Sequence, residues 1–341
     1  AFALALEAWR YPSAGGYRDL PEMQLACSGL SISEAQKEWK DLAKGDEDLS
    51  NAIAWMLYTF KDAPILGSLI DPTTSLKKGQ LPPWESLLQV IGNKYDISNE
   101  SRVMAYGLVK AAQLLSKKYD VVLTNPPYLG DRKQCEFLKK YSQLHFPIAK
   151  SELANVMYLR ASKLLKRNGC GLFVYPESWL TLTRSEEFRR FVLKNQKVHI
   201  LIRLGDNSFD NKQAKGASVC MSIFSNSSFE HQKISSLDLF KLDSIDKKND
   251  ALIGMKLGAI NQCSQLENRQ ARVIFDYFDN EAVLLETMAL ANQGVKTGDD
   301  SFWRRNFWEV EYSAPEWEFF QSTVSFDVLY GGRSDVINWA T

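Results

Sequence analysis

Hydrophobic residues along this chain fall into two alternating patterns, short continuous runs and longer stretches with helical spacing. The continuous runs Val121-Val122-Leu123-Thr124, Gly171 to Tyr175, Val198 to Leu204 and Ala217 to Phe224 predict buried strands. A shorter run, Met23 to Cys27, ends at Ser28-Gly29 and predicts one more. Helical spacing begins at once with Phe2-Ala3-Leu4-Ala5-Leu6-Glu7-Ala8-Trp9, which has no N-cap before it and reads as the middle of a domain. Trp39, Leu42, Leu49, Ile53, Met56, Leu57 and Phe60 predict two helices interrupted at Gly45-Asp46, and 64–83 is an irregular Pro- and Gly-rich insertion. Further helices are predicted from Arg102 to Ser116 and from Leu153 to Arg167, the latter stopped by Asn168-Gly169. Thr183-Arg184-Ser185-Glu186 has the spacing of a capping box that opens a helix through Val192 and Leu193. Strands alternating with helices imply an α/β fold, a doubly wound and mostly parallel sheet with helices on both faces.

Beyond about residue 229 the pattern changes. Residues 229–248 are polar and weakly periodic, and 280–291 read as a helix capped by Asn280 with Gly294 beyond its end. The chain therefore divides into an α/β domain over 1–228, a connecting segment over 229–292, and a last segment over 293–341. At 341 residues and 45% hydrophobic content the chain supports a substantial core. No apolar run reaches 18 residues and no signal peptide opens the chain, so a soluble, cytoplasmic protein is expected. Cys27, Cys135, Cys170, Cys220 and Cys263 are scattered without CxxC spacing and read as reduced thiols, with no structural zinc. Formal net charge is zero, which argues against a uniformly basic surface and leaves local patches open. One such patch, 131–167, holds nine Lys and Arg against three acids, and suits either a phosphate track or a solvated helix face.

Candidate chemistry sits where the run 121–124 ends, at Asn125-Pro126-Pro127-Tyr128. Each proline fixes its own φ and drives the residue before it away from helical geometry, so Asn125 is extended at the strand tip. Neither proline offers an N–H, while the Pro126 carbonyl stays free. Four residues thus present a side-chain carbonyl, a main-chain carbonyl and a flat ring, which suits an aromatic amine with two N–H groups.

The stretch Tyr119-Asp120-Val121-Val122-Leu123-Thr124-Asn125-Pro126-Pro127-Tyr128 resembles the catalytic motif of class I S-adenosylmethionine-dependent amino-methyltransferases, above all the N6-adenine DNA methyltransferases. Later stretches narrow the resemblance to the large adenine methyltransferases of type IIG restriction and phage-exclusion (BREX-like) systems. The resemblance implies S-adenosylmethionine as cofactor, double-stranded DNA with a flipped adenine as partner, and further subunits of a defence system. It implies Asn125, Pro126, Pro127 and Tyr128 as catalytic residues, with Asn125 and Ser28 touching the cofactor. The family's glycine-rich loop and ribose-binding acid are not found, since Gly169-Cys170-Gly171 precedes a strand instead of following one. By resemblance they belong upstream of Ala1, and residues 1–341 alone are expected to bind the cofactor feebly.

The last two strands, joined by a loop without a helix, fit the antiparallel hairpin that ends the sheet in this family. Its loop Asp206-Asn207-Ser208-Phe209-Asp210-Asn211-Lys212, with Lys215, stands where the family contacts DNA near the flipped base. Phe224 resembles the aromatic behind the target adenine, and plain core burial explains it equally well. Gln293 to Asp300, with Lys296, and Phe302 to Val310, with Arg304 and Arg305, resemble the opening of a target-recognition region, and Tyr330 to Trp339 a later block. Basic residues interleaved with aromatics suit nucleic acid, and a strand with Trp303 and Trp308 buried and the arginines paired to acids is the alternative. Two other functions stay open: methylation of a protein glutamine or RNA base, and a DNA-binding piece without activity.

Overall fold

The computed structural model describes the chain except for residues 1, 14, 22, 27–46, 75–98, 210–216, 228–231, 255, 276–287, 290–293, 312–313, 323, 325–330 and 340–341. The chain separates into two units, 1–277 and 278–341. Helix α1 (Phe2–Arg10) stands where its spacing predicts, and α2 (Glu47–Phe60) buries Ile53, Met56, Leu57 and Phe60. Residues 23–26 form no strand, and the first of the two helices expected between Ser33 and Phe60 lies outside the described residues. Helix α3 (Asn99–Ser116) leads into β1 (Tyr119–Thr124), and α4 (Glu136–His145) and α5 (Leu153–Leu164) follow it.

The first unit is built on a six-stranded sheet of order β1-β2-β4-β3-β5-β6. Its further strands are β2 (Leu165–Pro176), β3 (Lys197–Gly205), β4 (Val219–Ser225), β5 (Lys233–Asp238) and β6 (Gly258–Asn261). Helix α6 (Glu186–Asn195) precedes β3, and α7 (Ile245–Gly254) stands between β5 and β6. β1, β2, β3 and β5 run one way, while β4 lies antiparallel between β2 and β3, and β6 is antiparallel to β5. The expected hairpin is therefore β3–β4, with its second strand inserted into the middle of the sheet. Among the described residues β1 forms an edge, with Val121 and Leu123 exposed.

Three local expectations are corrected. The helix expected to run to Arg167 ends at Leu164, because Leu165 already pairs with Tyr119. Asn168-Gly169 is a bulge in β2: Asn168 takes φ 69°, and a Cβ at Gly169 would come 2.8 Å from the Tyr119 carbonyl oxygen. The capping box at Thr183 does not form, since Thr183 donates its hydroxyl to Gln270 Oε1 at 3.0 Å and Glu186 accepts from Arg190 at 2.8 Å. Buried Arg189 instead organises that turn, donating to the carbonyls of Trp179, Leu182 and Gln270 at 2.6, 2.7 and 2.8 Å. Thirdly, β5 and β6 lie in the part read from sequence as a connecting segment. In β5 the inward positions are Ile234 and Ser236, and a serine on the buried face blunted the alternation.

Helix α5 lies almost wholly in the core, and Tyr158 on it stacks on Phe224 of β4 with ring centres 4.2 Å apart. Arg160, buried on the same helix, donates to the carbonyls of Ile70 and Leu115 and pairs with Asp71 at 3.1 Å. It therefore drops out of the basic patch counted over 131–167, as does Lys166, paired with Asp120 at 2.8 Å.

The second unit is described over three short antiparallel strands in the order β7 (Arg304–Asn306), β9 (Asp335–Asn338), β8 (Trp317–Phe320). The helix expected over 280–291 lies almost entirely outside the described residues.

Candidate active site

At the end of β1 the two prolines do what their chemistry dictates. Asn125 and Pro127 are exposed, Pro126 is buried and Tyr128 is half-buried. The Tyr128 ring packs against both apolar clusters of the unit: the main core, and a smaller group of Ile202, Leu204, Val219 and Leu239. Its hydroxyl donates to Asn125 Oδ1 at 2.6 Å and lies 3.4 Å from the Val174 carbonyl oxygen on β2. Burial pushes the phenol up to about 12, so the proton stays on the oxygen and the bond to Asn125 persists through neutral pH. A carboxamide oxygen has two lone pairs, so Asn125 keeps one free for a second donor. Among the described residues no backbone N–H is donated to the Pro126 carbonyl.

The exit of the loop is clamped to the start of α5. Glu152, 6% exposed, accepts the Leu129 N–H at 2.7 Å, and Leu153 N–H returns to the Leu129 carbonyl at 3.0 Å. Gly130 and Glu152 form a bridge, and the Gln134 amide also donates to the Leu129 carbonyl, at 3.0 Å. Burial raises the Glu152 carboxyl above the usual carboxylate range, against the pull of the Leu129 N–H and the Arg184 charge. A folded-state proton held more tightly than in the unfolded chain favours folding at acid pH, and that contribution is lost as pH rises through the raised value. Glu152→Ala is expected to leave the Leu129 N–H unmet and to lower stability by about 1–3 kcal/mol. Glu152→Gln keeps an acceptor, and is expected to recover most of that loss and to flatten the decline in stability from acid to neutral pH. Urea unfolding of the variants across that range reads both effects.

Nearby, on the same end of the sheet, Arg203 of β3 grips Glu177 through two hydrogen bonds of 3.0 Å and faces Asp238 at 3.6 Å. Its guanidinium lies 4.0 Å from the centre of the Phe240 ring. The Glu177 hydrogen bonds raise its pKa further, so this knot of charge stays formed at the carboxyl ends of β2, β3 and β5.

Of the residues expected from sequence, Asn125, Pro126, Pro127 and Tyr128 come together as one constellation. Ser28, Lys212 and Lys215 lie outside the described residues. Phe224 is a correction: it is 0% exposed, its ring lies against Tyr158 and Phe173, and a Cβ on Gly171 would come within 2.5 Å of it. No face of the ring is left for a base. Phe209, which the sequence places in the loop 206–212 without singling out its ring, is half-buried against the same small cluster as Tyr128. It stands alone as an aromatic in the polar loop Gly205 to Gly216, and an apolar ring in such a loop was the available signal.

In the second unit Lys296 is exposed, and so is Arg305, which donates to the carbonyls of Ser301 and Arg304. Arg304 is also corrected as a free DNA contact: it pairs with Asp300 at 3.0 Å and with Asp335, and lies 4.6 Å from the centre of the Phe320 ring. Pairing of β7 with β9 brings Asp335 to it. Trp303 and Trp308 are exposed, against the alternative that buries them.

Residues 31–209 match the family described as Eco57I restriction-modification methylase, a span just over half of the chain. The adenine-specific methyltransferase BrxX of Escherichia coli O9:H4 (strain HS) is 30% identical over 169 residues, 49% of this chain and 14% of that protein. The adenine-specific methyltransferase PglX of Lacticaseibacillus casei (strain Zhang) is 22% identical over 315 residues, 83% of this chain and 25% of that protein. The chain thus spans a quarter or less of the length of these relatives. Among solved structures, the ATP-dependent type ISP restriction-modification enzyme LlaBIII bound to DNA is 15% identical with a TM-score of 0.39, covering 89% of this chain and 24% of that one, a likeness too loose to carry an argument. With the Asn125-Pro126-Pro127-Tyr128 loop inside the matched span, at the tip of a strand in an α/β sheet, the chain belongs to the Eco57I restriction-modification methylase family.

Proposed function

We propose that this chain carries the catalytic centre of a DNA methyltransferase that moves a methyl group from S-adenosylmethionine to N6 of an adenine turned out of the duplex, within a restriction-modification or phage-defence system. The observation that carries this reading is the hydrogen bond from Tyr128 to Asn125 at the exposed tip of β1, which holds the carboxamide oxygen in place with one lone pair unused. The methyl donor supplies an electrophilic methyl on a sulfonium. Asn125, exposed on that tip, is the described residue that fits both the amine and the donor.

Adenine N6 is a poor nucleophile because its lone pair is delocalised into the ring. Asn125 Oδ1 and the Pro126 carbonyl accept its two hydrogens, drawing the nitrogen toward tetrahedral geometry and freeing the lone pair. With the donor bound, its sulfonium would give up the methyl as the N–CH3 bond formed, the sulfur keeping the S–CH3 bonding pair, and the nitrogen held by Asn125 and the Pro126 carbonyl would release one proton to water. No separate base is needed before transfer. Turning the base out costs a few kcal/mol, and stacking on Tyr128 returns about 1–3 kcal/mol. Phe209 is the second ring in reach of the same cluster, and in this reading it touches the base from the β3–β4 loop. Lys296 and Arg305 are proposed phosphate contacts of a target-recognition segment over 293–341, with Lys212 and Lys215 in the β3–β4 loop.

Incubating the full-length protein with isotopically labelled donor and double-stranded DNA, followed by nucleoside digestion, tests the reading. Label is expected in N6-methyldeoxyadenosine; label in methylcytosine or in protein overturns it. The Tyr128 hydroxyl bond adds a finer expectation. Tyr128→Ala should lose the 2-aminopurine signal of an extruded base. Tyr128→Phe, which stacking alone would leave untouched, should keep that signal yet lower kcat about tenfold by releasing Asn125.

A further inference from the structure

Helix α7 plays no part in the chemistry above, yet it reaches the same ground. Its Ala251 and Leu252 pack against the small cluster that Tyr128 and Phe209 share. One turn earlier, Lys248 is 3% exposed, and its ammonium donates to the Asp206 carbonyl and lies 3.4 Å from Ser208 Oγ. Ser208 in turn donates to the Gly205 carbonyl at 2.7 Å. The turn these atoms hold is a tight one. Gly205 has φ 69° and Asn207 φ 53°, and a Cβ at Gly205 would come 2.9 Å from the Phe240 ring. Phe209 is the next residue.

A lysine taken out of water is costly unless its donors are used. Burial lowers the Lys248 pKa, while the charges of Asp206 and Glu177 act in the opposite sense. An ammonium is well suited to this place, because its three donors can serve a carbonyl and a hydroxyl two residues apart. Asparagine adopts the left-handed region more readily than other non-glycine residues, so Asn207 suits the turn, and the Lys248 bonds to Asp206 and Ser208 on either side of it tie that turn to α7.

We propose that Lys248 is a positioning residue: from α7, through Asp206 and Ser208, it fixes the turn that carries Phe209 over the cluster shared with Tyr128, and so sets the affinity for the extruded base. The inference rests on the reading of Phe209 and Tyr128 as base contacts. Its structural half stands independently of that reading.

Two measurements on the full-length protein separate the halves. Lys248→Met keeps the apolar stem and removes the ammonium; Lys248→Arg restores donors. Hydrogen exchange is expected to quicken about tenfold at the amides of 205–209 in Lys248→Met, with β1 and β2 unchanged and Lys248→Arg partly restored. Unchanged exchange at 205–209, or a uniform rise across the sheet, overturns the latch. In methyl transfer, Lys248→Met should raise KM for DNA about tenfold while kcat stays within about twofold, the split expected when binding of the base and not the transfer step is disturbed. A quickened loop with KM unchanged overturns the link to the base. If the wild-type protein labels no adenine, the functional reading fails, and the exchange experiment still decides whether Lys248 holds the turn.

Discussion

Replacing Asn125 with alanine is expected to abolish methyl transfer while leaving DNA binding within a few-fold. In the proposed reaction the carboxamide oxygen acts on the nitrogen as it becomes tetrahedral, and an interaction of that kind weighs on the transition state far more than on the ground state. Loss of one preorganised hydrogen-bonding group of this type costs about 10²–10³ in kcat. Here the effect is expected at the upper end or beyond, because Asn125→Ala also leaves the Tyr128 hydroxyl without its 2.6 Å partner in a half-buried setting. The second carbonyl, on Pro126, is main-chain and survives the substitution, yet one acceptor cannot orient two hydrogens. Single-turnover transfer, measured beside a binding titration with the same duplex, separates the two quantities. Turnover near wild type would sink the mechanism; a parallel loss of binding would recast Asn125 as a binding residue.

Phe224→Ala is the second large effect, and it is expected in stability and not in catalysis. The ring is fully buried on β4, stacked on Tyr158, near Phe173, and seated over the bare backbone of Gly171. Truncating a buried phenylalanine costs about 3–5 kcal/mol, because the apolar area and the cavity both count. That is a large part of the roughly 5–15 kcal/mol that holds an ordinary domain together. Equilibrium unfolding in urea should show it directly. At a temperature where Phe224→Ala remains folded, KM for DNA should match wild type. Unaltered stability with loss of the 2-aminopurine signal would return Phe224 to the base.

Much of the candidate site is legible in the sequence because it is written in covalent constraints. Prolines at 126 and 127 fix φ whatever surrounds them, and the apolar run 121–124 can only be satisfied as a buried or paired strand. What the four residues do to one another was not readable. The Tyr128 hydroxyl could have pointed to solvent, and only the packing of its ring between the two clusters aims it at Asn125. Glu152, 24 residues beyond Tyr128, carries no local mark of its role, since a lone acid before a helix is usually a surface residue. Phe209 and Phe224 show the same limit from opposite sides. Both are aromatic and both belong to the hairpin, and whether a ring is inward or available depends on what lies across the sheet. Arg304 looked like a phosphate contact until strand pairing set Asp335 beside it.

The sequence by itself determined the helix and strand that lead into the loop, the alternation of helix and strand from 153 to 225, the rigid tip bearing Asn125, and the kind of chemistry that a carbonyl pair and a ring can do, while the helix over 136–145 carried no such mark. Those follow from φ restriction and from the period of apolar positions, which act over a few residues at a time. Tertiary structure alone decided that 233–261 completes the sheet, that Phe224 is core, that Arg160 and Arg304 are paired, and that Glu152 and Lys248 brace loops far from them in the chain. Each of those depends on which group arrives from a distant segment, and a buried polar atom accepts whatever partner the packed chain delivers.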